Sequence, residues 1–441
     1  NFTMFGTGTS PLEASYNTGI GHNCLASLTT GYQNSALGME SMFSNTTGYF
    51  NSAFGNQSMR SNLAGYQNSA FGYGSMFTNT SGFNNSTFGY LSMNLNTTGS
   101  ANSSFGTYSL MRNTTGYANS TFGLSSLASN TTGYYNSAFG VYSLLYNTTG
   151  YENSGFGISS LYSNTTGYQN CAFGIASLRS NTTAIQNTAV GYTSLQGNST
   201  GNFNTALGFQ SLYLNSTGFQ NTAVGHHSLQ NNNGNYNTAL GYNAGSTITT
   251  GFNLPCIRID AAPTTINAQN QVTLGNMFIT SLRCAVTTIT SLSDARDKKN
   301  ISELSLGLDF ITKLHPHQFN WDKREWYDDN NSDGSKKQEA PTAGFIAQEL
   351  DQAQTTAGAE WLNLVLKDNP EKWEATPGNL LPIMVKAVQE LKTENDELKN
   401  NNEKLGERLT RYEQRQNELV RKMEELELKS SDSKEIKLGE K

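Results

Sequence analysis

The stretch Gly31-Tyr32-Gln33-Asn34-Ser35-Ala36-Leu37-Gly38 decides the fold of the first half of this chain, because it returns at a fixed interval. Its last glycine reappears at Gly55, Gly72, Gly89, Gly106, Gly123, Gly140, Gly157, Gly174, Gly191, Gly208 and Gly225, seventeen residues apart each time. Gly21 precedes the series and Gly241 closes it one residue early. A period held this tightly means a solenoid or roll, in which each coil packs on its neighbours, and not a globular core.

Inside the repeat, the residue three after the glycine is Ser (Cys24 once), and Leu or Met follows, as in Ser41-Met42, Ser109-Leu110 and Ser228-Leu229. The last copy reads Ala244-Gly245, so the array is expected to span residues 1–245. A column of Asn runs through Asn45, Asn62, Asn79, Asn96, Asn113 and on to Asn215, mostly within Asn-Thr-Thr-Gly turns. Gly supplies left-handed backbone at such turns, and Asn tolerates it. Each coil therefore has two short apolar nodes, around Ala-Phe-Gly and Ser-Leu, which suits a two-sided β-roll. At about 4.8 Å per coil, roughly fourteen coils make a rod of about 65 Å. Two or three apolar side chains per coil make a thin core, so lateral association is expected to bury the rest. The Asn-Ser-Ala-Phe-Gly and Gly-x-x-Ser-Leu elements resemble the head repeats of trimeric autotransporter adhesins, which implies a left-handed parallel β-roll and a homotrimer.

The columns invite several readings. The Asn column is a stacked amide ladder serving turn backbone, or a set of Asn-x-Thr glycan acceptors if the chain crosses a eukaryotic secretory route. The column Tyr32, Tyr49, Tyr66, Tyr117, Tyr134, Tyr151 and Tyr168 packs between subunits, or stacks on the sugar rings of a host-surface glycan. The Thr pairs sit in turns, a poor placement for an ice-binding face.

Charge divides the molecule. From Asn1 to Gly241 the only charged side chains are Glu13, Glu40, Glu152, Arg60, Arg112 and Arg179, so the net charge of −6 belongs to the rest. Without Asp the array has no calcium-repeat ligands, and three scattered Glu do not make a glycosidase pair. No basic patch supports nucleic-acid binding, no apolar run is long enough for membrane insertion, and no signal peptide is visible. Cys24, Cys171, Cys256 and Cys284 lack metal-site spacing, and no cofactor or metal is expected. Residues 246–292 are expected to form a β-rich neck: Gly251 to Leu292 has no seventeen-residue period and carries the alternating stretches Gln271–Leu274 and Ala285–Thr290.

At Ser293-Asp294-Ala295-Arg296-Asp297-Lys298-Lys299-Asn300-Ile301 the composition changes. There follow Leu314-His315-Pro316-His317-Gln318-Phe319, then Gly344-Phe345-Ile346-Ala347-Gln348-Glu349-Leu350, then Leu380-Leu381-Pro382 with Val385-Lys386-Ala387-Val388-Gln389-Glu390-Leu391. In this order the boxes resemble the endosialidase-type intramolecular chaperone, a Ser/Lys self-cleaving family found at the C-termini of phage tailspikes and tail fibres. The resemblance covers Ser293 to Leu428. It implies a small α+β chaperone domain over 293–387, with Ser293 as nucleophile, Lys298 as general base and a cut at the Ser293–Asp294 bond.

The chemistry needs those residue types. A serine hydroxyl is a weak nucleophile until a neighbouring base takes its proton. A lysine is a base only when neutral, which burial or nearby cations favour; Arg296 and Lys299 are candidates for such cations. The competing reading is a charged turn in which Ser293 or Asp294 caps a helix. His315 and His317 form a further pair, but with no evident carboxylate or Cys partner they read as packing residues. All four tryptophans, Trp321, Trp326, Trp361 and Trp373, fall here, as a globular core would require.

From Val388 a seam runs through Leu391, Asn395, Leu398, Asn402, Leu405, Leu409, Tyr412, Gln416, Leu419, Met423 and Leu426 in steps of three or four. Sustained this long, it predicts a parallel coiled coil over 388–441. Such helices associate quickly, whereas parallel intermolecular β-structure nucleates slowly, so the helix is expected to gather chains for the roll. Taken together, the resemblances imply a homotrimeric virion tail fibre or surface fibre for host attachment. A cell-surface adhesin with the same modules, or a spacer with no ligand, are the alternatives.

Overall fold

The computed structural model describes residues 2–4, 16–279, 282, 293–329 and 331–436, with side chains as far as residue 430. Two compact units divide the chain, Asn1–Ala285 and Val286–Lys441.

The first unit is a parallel β-solenoid. An antiparallel strand β1 (Phe2–Met4) pairs with β2 (Thr18–Ile20), and three-residue strands then recur once per coil up to β16 (Pro255–Ile257). Register is strict: Ser52 pairs with Ser69, Ala53 with Ala70 and Phe54 with Phe71. One residue is lost from the coil between Thr222 and its partner Thr238.

The expected stop at residue 245 is corrected. Leu240 pairs with Ile257, and Ile257 with Leu274 of β17 (Thr273–Leu274), so the seventeen-residue step continues in the backbone after the side-chain motif has faded. Gln271–Leu274 is thus part of the same ladder, whereas Ala285–Thr290 lies outside the described residues.

Both apolar nodes of the coil reach the core, the first through its Ala and the second through its Leu or Met. Only Ser-Ala-Phe forms a strand, and its burial pattern places Ala inward and Ser and Phe outward, as period-two alternation requires. Phe88 and Phe122 are 58 % and 60 % exposed. The Ser-Leu node is a turn in which the buried Leu or Met is itself left-handed, with φ +48° at Met42 and +50° at Leu110. A non-glycine residue there costs about 1–2 kcal/mol; complete burial of the side chain and a backbone bond such as Met42 N–H to Ser58 O, 3.0 Å, offset it.

More than half of the buried side chains of the solenoid are polar. The Asn45 column forms the expected ladder: from Asn62 to Asn215 each amide donates to the Oδ1 of the coil before it, as Asn113 does to Asn96 at 2.8 Å, and to the carbonyl three residues on, that of a glycine except at Ala184. A second ladder, Asn17, Asn34, Asn51 and on to Asn237, escaped the sequence reading. There both the backbone N–H and the Nδ2 of one Asn donate to the Oδ1 of its predecessor, at 3.0 and 3.1 Å for Asn119 on Asn102. Cys24 occupies the Ser column and Cys256 the Ala column; burial pushes both thiols up to about 11.

Two glycine columns close the coils. At Gly38, φ is +138° and a Cβ would sit 2.3 Å from Gly55 O. At Gly48 a Cβ would strike Asn45 Oδ1 at 2.3 Å, inside the ladder itself.

The second unit is small and mixed. Its core joins Phe310 of α1 (Leu308–Ile311), Leu350 of α2 (Ala347–Thr356), Leu362, Leu364, Val365, Leu380 and Ile383. Strands β18 (His317–Phe319) and β19 (Thr342–Gly344) form one antiparallel pair, and β20 (Val365–Leu366) and β21 (Glu374–Ala375) another. The tryptophans do not build this core: Trp373 packs against it, while Trp321 and Trp361 are exposed. A single helix, α3 (Leu381–Ile436), begins in the core through Ile383 and Ala387 and runs on past it. The expected boundary at 387/388 therefore falls within one helix. Glu390, beyond that boundary, accepts from the Leu308 N–H at 2.7 Å.

Candidate active site

Ser293 and Lys298 are brought together. Lys298 Nζ lies 2.5 Å from Ser293 Oγ and 3.3 Å from the Ser293 carbonyl oxygen. The turn between them explains the approach. Asp294, extended at φ −69° and ψ 135°, caps a 3-10 turn over Ala295–Asp297 by accepting from the Arg296 N–H at 2.9 Å. Lys298 N–H closes on Ala295 O at 3.2 Å, which returns the lysine stem toward Ser293. The capped-turn reading and the dyad geometry are thus one structure.

The electrostatics differ from expectation at Arg296. Its guanidinium is held by Asp294, with Nη2 2.6 Å from Oδ2 and Nε 3.1 Å from both carboxylate oxygens. That pairing holds the Asp294 carboxyl below its ordinary range. Arg296 is therefore a compensated charge, not the free cation expected beside Lys298. Ser293, Lys298 and Lys299 are all exposed in the single chain, and none of the described residues buries them.

The downstream boxes interlock. Gly344 lies across from His317 in the β18–β19 pair, and a Cβ on it would approach the Phe319 ring to 3.2 Å. The glycine of one box thus makes room for the phenylalanine of the other. His317 Nε2 lies 2.7 Å from Glu349 Oε2, which supplies the carboxylate partner thought to be missing. The partnership joins β18 to α2; among the described residues no group of three or more His, Cys, Asp or Glu is placed to hold a metal. No helix among them is long and apolar enough to cross a membrane.

On the solenoid, Tyr117, Tyr134, Tyr151 and Tyr168 stack face to face, with centroids 5.0, 4.9 and 4.7 Å apart and interplanar angles of 2°, 9° and 4°. Tyr32, Tyr49 and Tyr66 do the same at 5.0 Å. The inner rings, such as Tyr49, Tyr134 and Tyr151, have both faces occupied by their neighbours, so a sugar ring finds only their edges there.

No curated protein and no solved structure gives a significant match to the chain. The Leu380-Leu381-Pro382 box and α3 lie beyond the residues that match a family model. Residues 293–359 match the family model described as chaperone of endosialidase.

Proposed function

We propose that this chain is a tail-fibre-like virion protein whose solenoid is the shaft and whose C-terminal unit gathers three copies and then releases itself by self-cleavage. One observation carries the reading: a chaperone-of-endosialidase segment begins at the dyad and follows directly on a solenoid whose apolar columns face solvent. Leu37, Phe105, Phe139, Phe173, Leu207 and Leu240 form one such column, and Met39, Tyr73, Leu124, Ile158 and Tyr192 a second beside it. Contiguous exposed apolar surface of this length marks an interaction face. The α3 seam is in the same state, with Leu398 and Leu405 62 % and 56 % exposed, and a parallel bundle of α3 helices covers it.

In the proposed reaction Lys298 takes the Ser293 hydroxyl proton, Oγ adds to a junction carbonyl, the departing amide nitrogen receives the proton, and water hydrolyses the ester. Which bond breaks follows from ring size. Oγ attacking the carbonyl of its own residue would close a four-membered ring, whereas the preceding carbonyl gives a five-membered one. A cut at Ser293–Asp294 by direct attack therefore draws the hydroxyl from a second chain, which ties cleavage to assembly. Assembly would also exclude water and favour the neutral amine.

Ser293→Ala and Lys298→Ala should each leave one uncut chain on denaturing gels. Wild-type fragments from either variant would sink the dyad. The occupied ring faces favour a spacer role for the Tyr ladder; binding to a glycan array that is lost on Tyr134→Ala would argue for a receptor surface instead.

A further inference from the structure

We infer that Asp294 and Arg296 are positioning residues for the dyad: their ion pair locks the turn that presents Lys298 to Ser293. The inference rests on the self-cleavage reading and adds to it the pair of side chains on which the rate depends.

Five residues of extended chain would separate the two functional groups by about 16 Å, far beyond any lysine-to-serine contact. The observed 2.5 Å exists because the chain folds back over Ala295–Asp297. Among the described residues, that 3-10 turn has little holding it apart from Asp294. The Asp297 and Lys298 N–H groups bond to Asp294 O and Ala295 O at a long 3.2 Å each. Nothing in the turn is buried. An isolated turn of this length is marginal, so the Asp294 carboxylate, which accepts from the Arg296 N–H and grips its guanidinium with both oxygens, sets how often the turn is formed. Neither side chain reaches the Ser293 hydroxyl; each acts through the backbone that carries Lys298.

The test is the cleavage rate of the full chain, followed as fragment appearance after synthesis, with native mass recorded for every variant. Asp294→Ala should slow cleavage roughly fivefold to tenfold, the effect of losing one N-cap. Asp294→Asn, which keeps the acceptor for the Arg296 N–H but loses the ion pair, should recover part of that rate, and Arg296→Ala should resemble it. The double variant Asp294→Ala/Arg296→Ala should be no slower than Asp294→Ala alone, since the two act as one lock. All should assemble to the wild-type mass.

The pH profile separates positioning from electrostatics. A lock changes how often the amine meets the hydroxyl, not how tightly it holds its proton, so the rising limb of rate against pH should stay at its wild-type position. A limb displaced in Asp294→Asn would overturn positioning in favour of a direct effect on Lys298. Wild-type rates in Asp294→Ala, or no recovery in Asp294→Asn, would overturn it with the dyad intact. Cleavage surviving in Ser293→Ala, or absent from wild type, would instead remove the dyad reading and this inference with it.

Discussion

Asn119→Ala should open the solenoid locally by about 2 kcal/mol, although it deletes no apolar side chain. Asn119 Nδ2 donates to Asn102 Oδ1 at 3.1 Å and to Gly133 O at 2.9 Å. Its Oδ1 accepts from both the backbone N–H and the Nδ2 of Asn136, at 3.0 and 3.1 Å. After truncation Asn102 Oδ1 keeps the Asn119 N–H, and Asn136 Nδ2 keeps Gly150 O. The Asn136 N–H loses its partner inside a fully buried column, whereas the Gly133 carbonyl keeps Asn130 Nδ2 at 3.0 Å. A buried group left unsatisfied costs about 1–3 kcal/mol. Because coils contact only their neighbours, the damage should stay within the adjacent coils. Native-state hydrogen exchange reads this as a lower opening free energy for amides on either side of residue 119, with Thr115→Ala, an exposed neighbour, as control at about ±0.5 kcal/mol. If Asn119→Ala exchanged like Thr115→Ala, the claim that amide ladders hold the array would be refuted.

Gly123→Ala should be similarly disruptive, since φ is +134° and the new Cβ would lie 2.6 Å from Gly140 O; a loss of more than about 2 kcal/mol is expected from strain alone, and hydrogen exchange of that coil would show it. Leu405→Asp should abolish the oligomer, measured by light scattering, while leaving the fold of residues 293–380 intact by NMR or circular dichroism. The Cys24 and Cys256 thiols, raised to about 11 in the folded chain, sit above an unfolded value of about 8.5. Their contribution is therefore complete below about 8.5 and is lost as pH rises toward 11. Cys24→Ser and Cys256→Ala, which restore each column's usual residue, should flatten the loss of thermal stability across that window; identical alkaline profiles would count against it.

The array was legible because its steric demands are written at fixed positions. Gly38 and Gly48 leave no room for a Cβ, so glycine recurs, and the period follows. What the period did not reveal is which side of the coil a residue faces. Phe54 seemed a core residue by hydrophobicity, yet in a three-residue strand only the central Ala53 points inward. The Asn34 ladder was hidden within the repeating block, where its amide looked like a turn residue. The left-handed Leu and Met turns carry no glycine to announce them; only stacking on the next coil makes them tenable. The two coils after residue 245 escaped notice because their backbone pairing persists after Ser and Asn have left the columns.

At the junction, the Ser293–Lys298 approach was visible through the order of the downstream boxes, since spacing alone does not choose between a capped turn and a dyad. The role of Arg296 was misread because its counter-ion, Asp294, stands only two residues earlier, and the spacing alone does not show that the turn pairs them. His317 likewise looked solitary until α2 brought Glu349 to it from thirty-two residues away.

The central claim is that a repeat shaft is assembled by a C-terminal unit that then separates itself at Ser293. Mass spectrometry of natively purified protein, first intact under native conditions and then denatured, tests it most directly. The account predicts a native mass of three shaft chains, and denatured chains whose ends flank Ser293, with a terminal serine on the shaft fragment if a second chain supplies the hydroxyl. A native monomer that denatures to one uncut 48.0 kDa chain would contradict it.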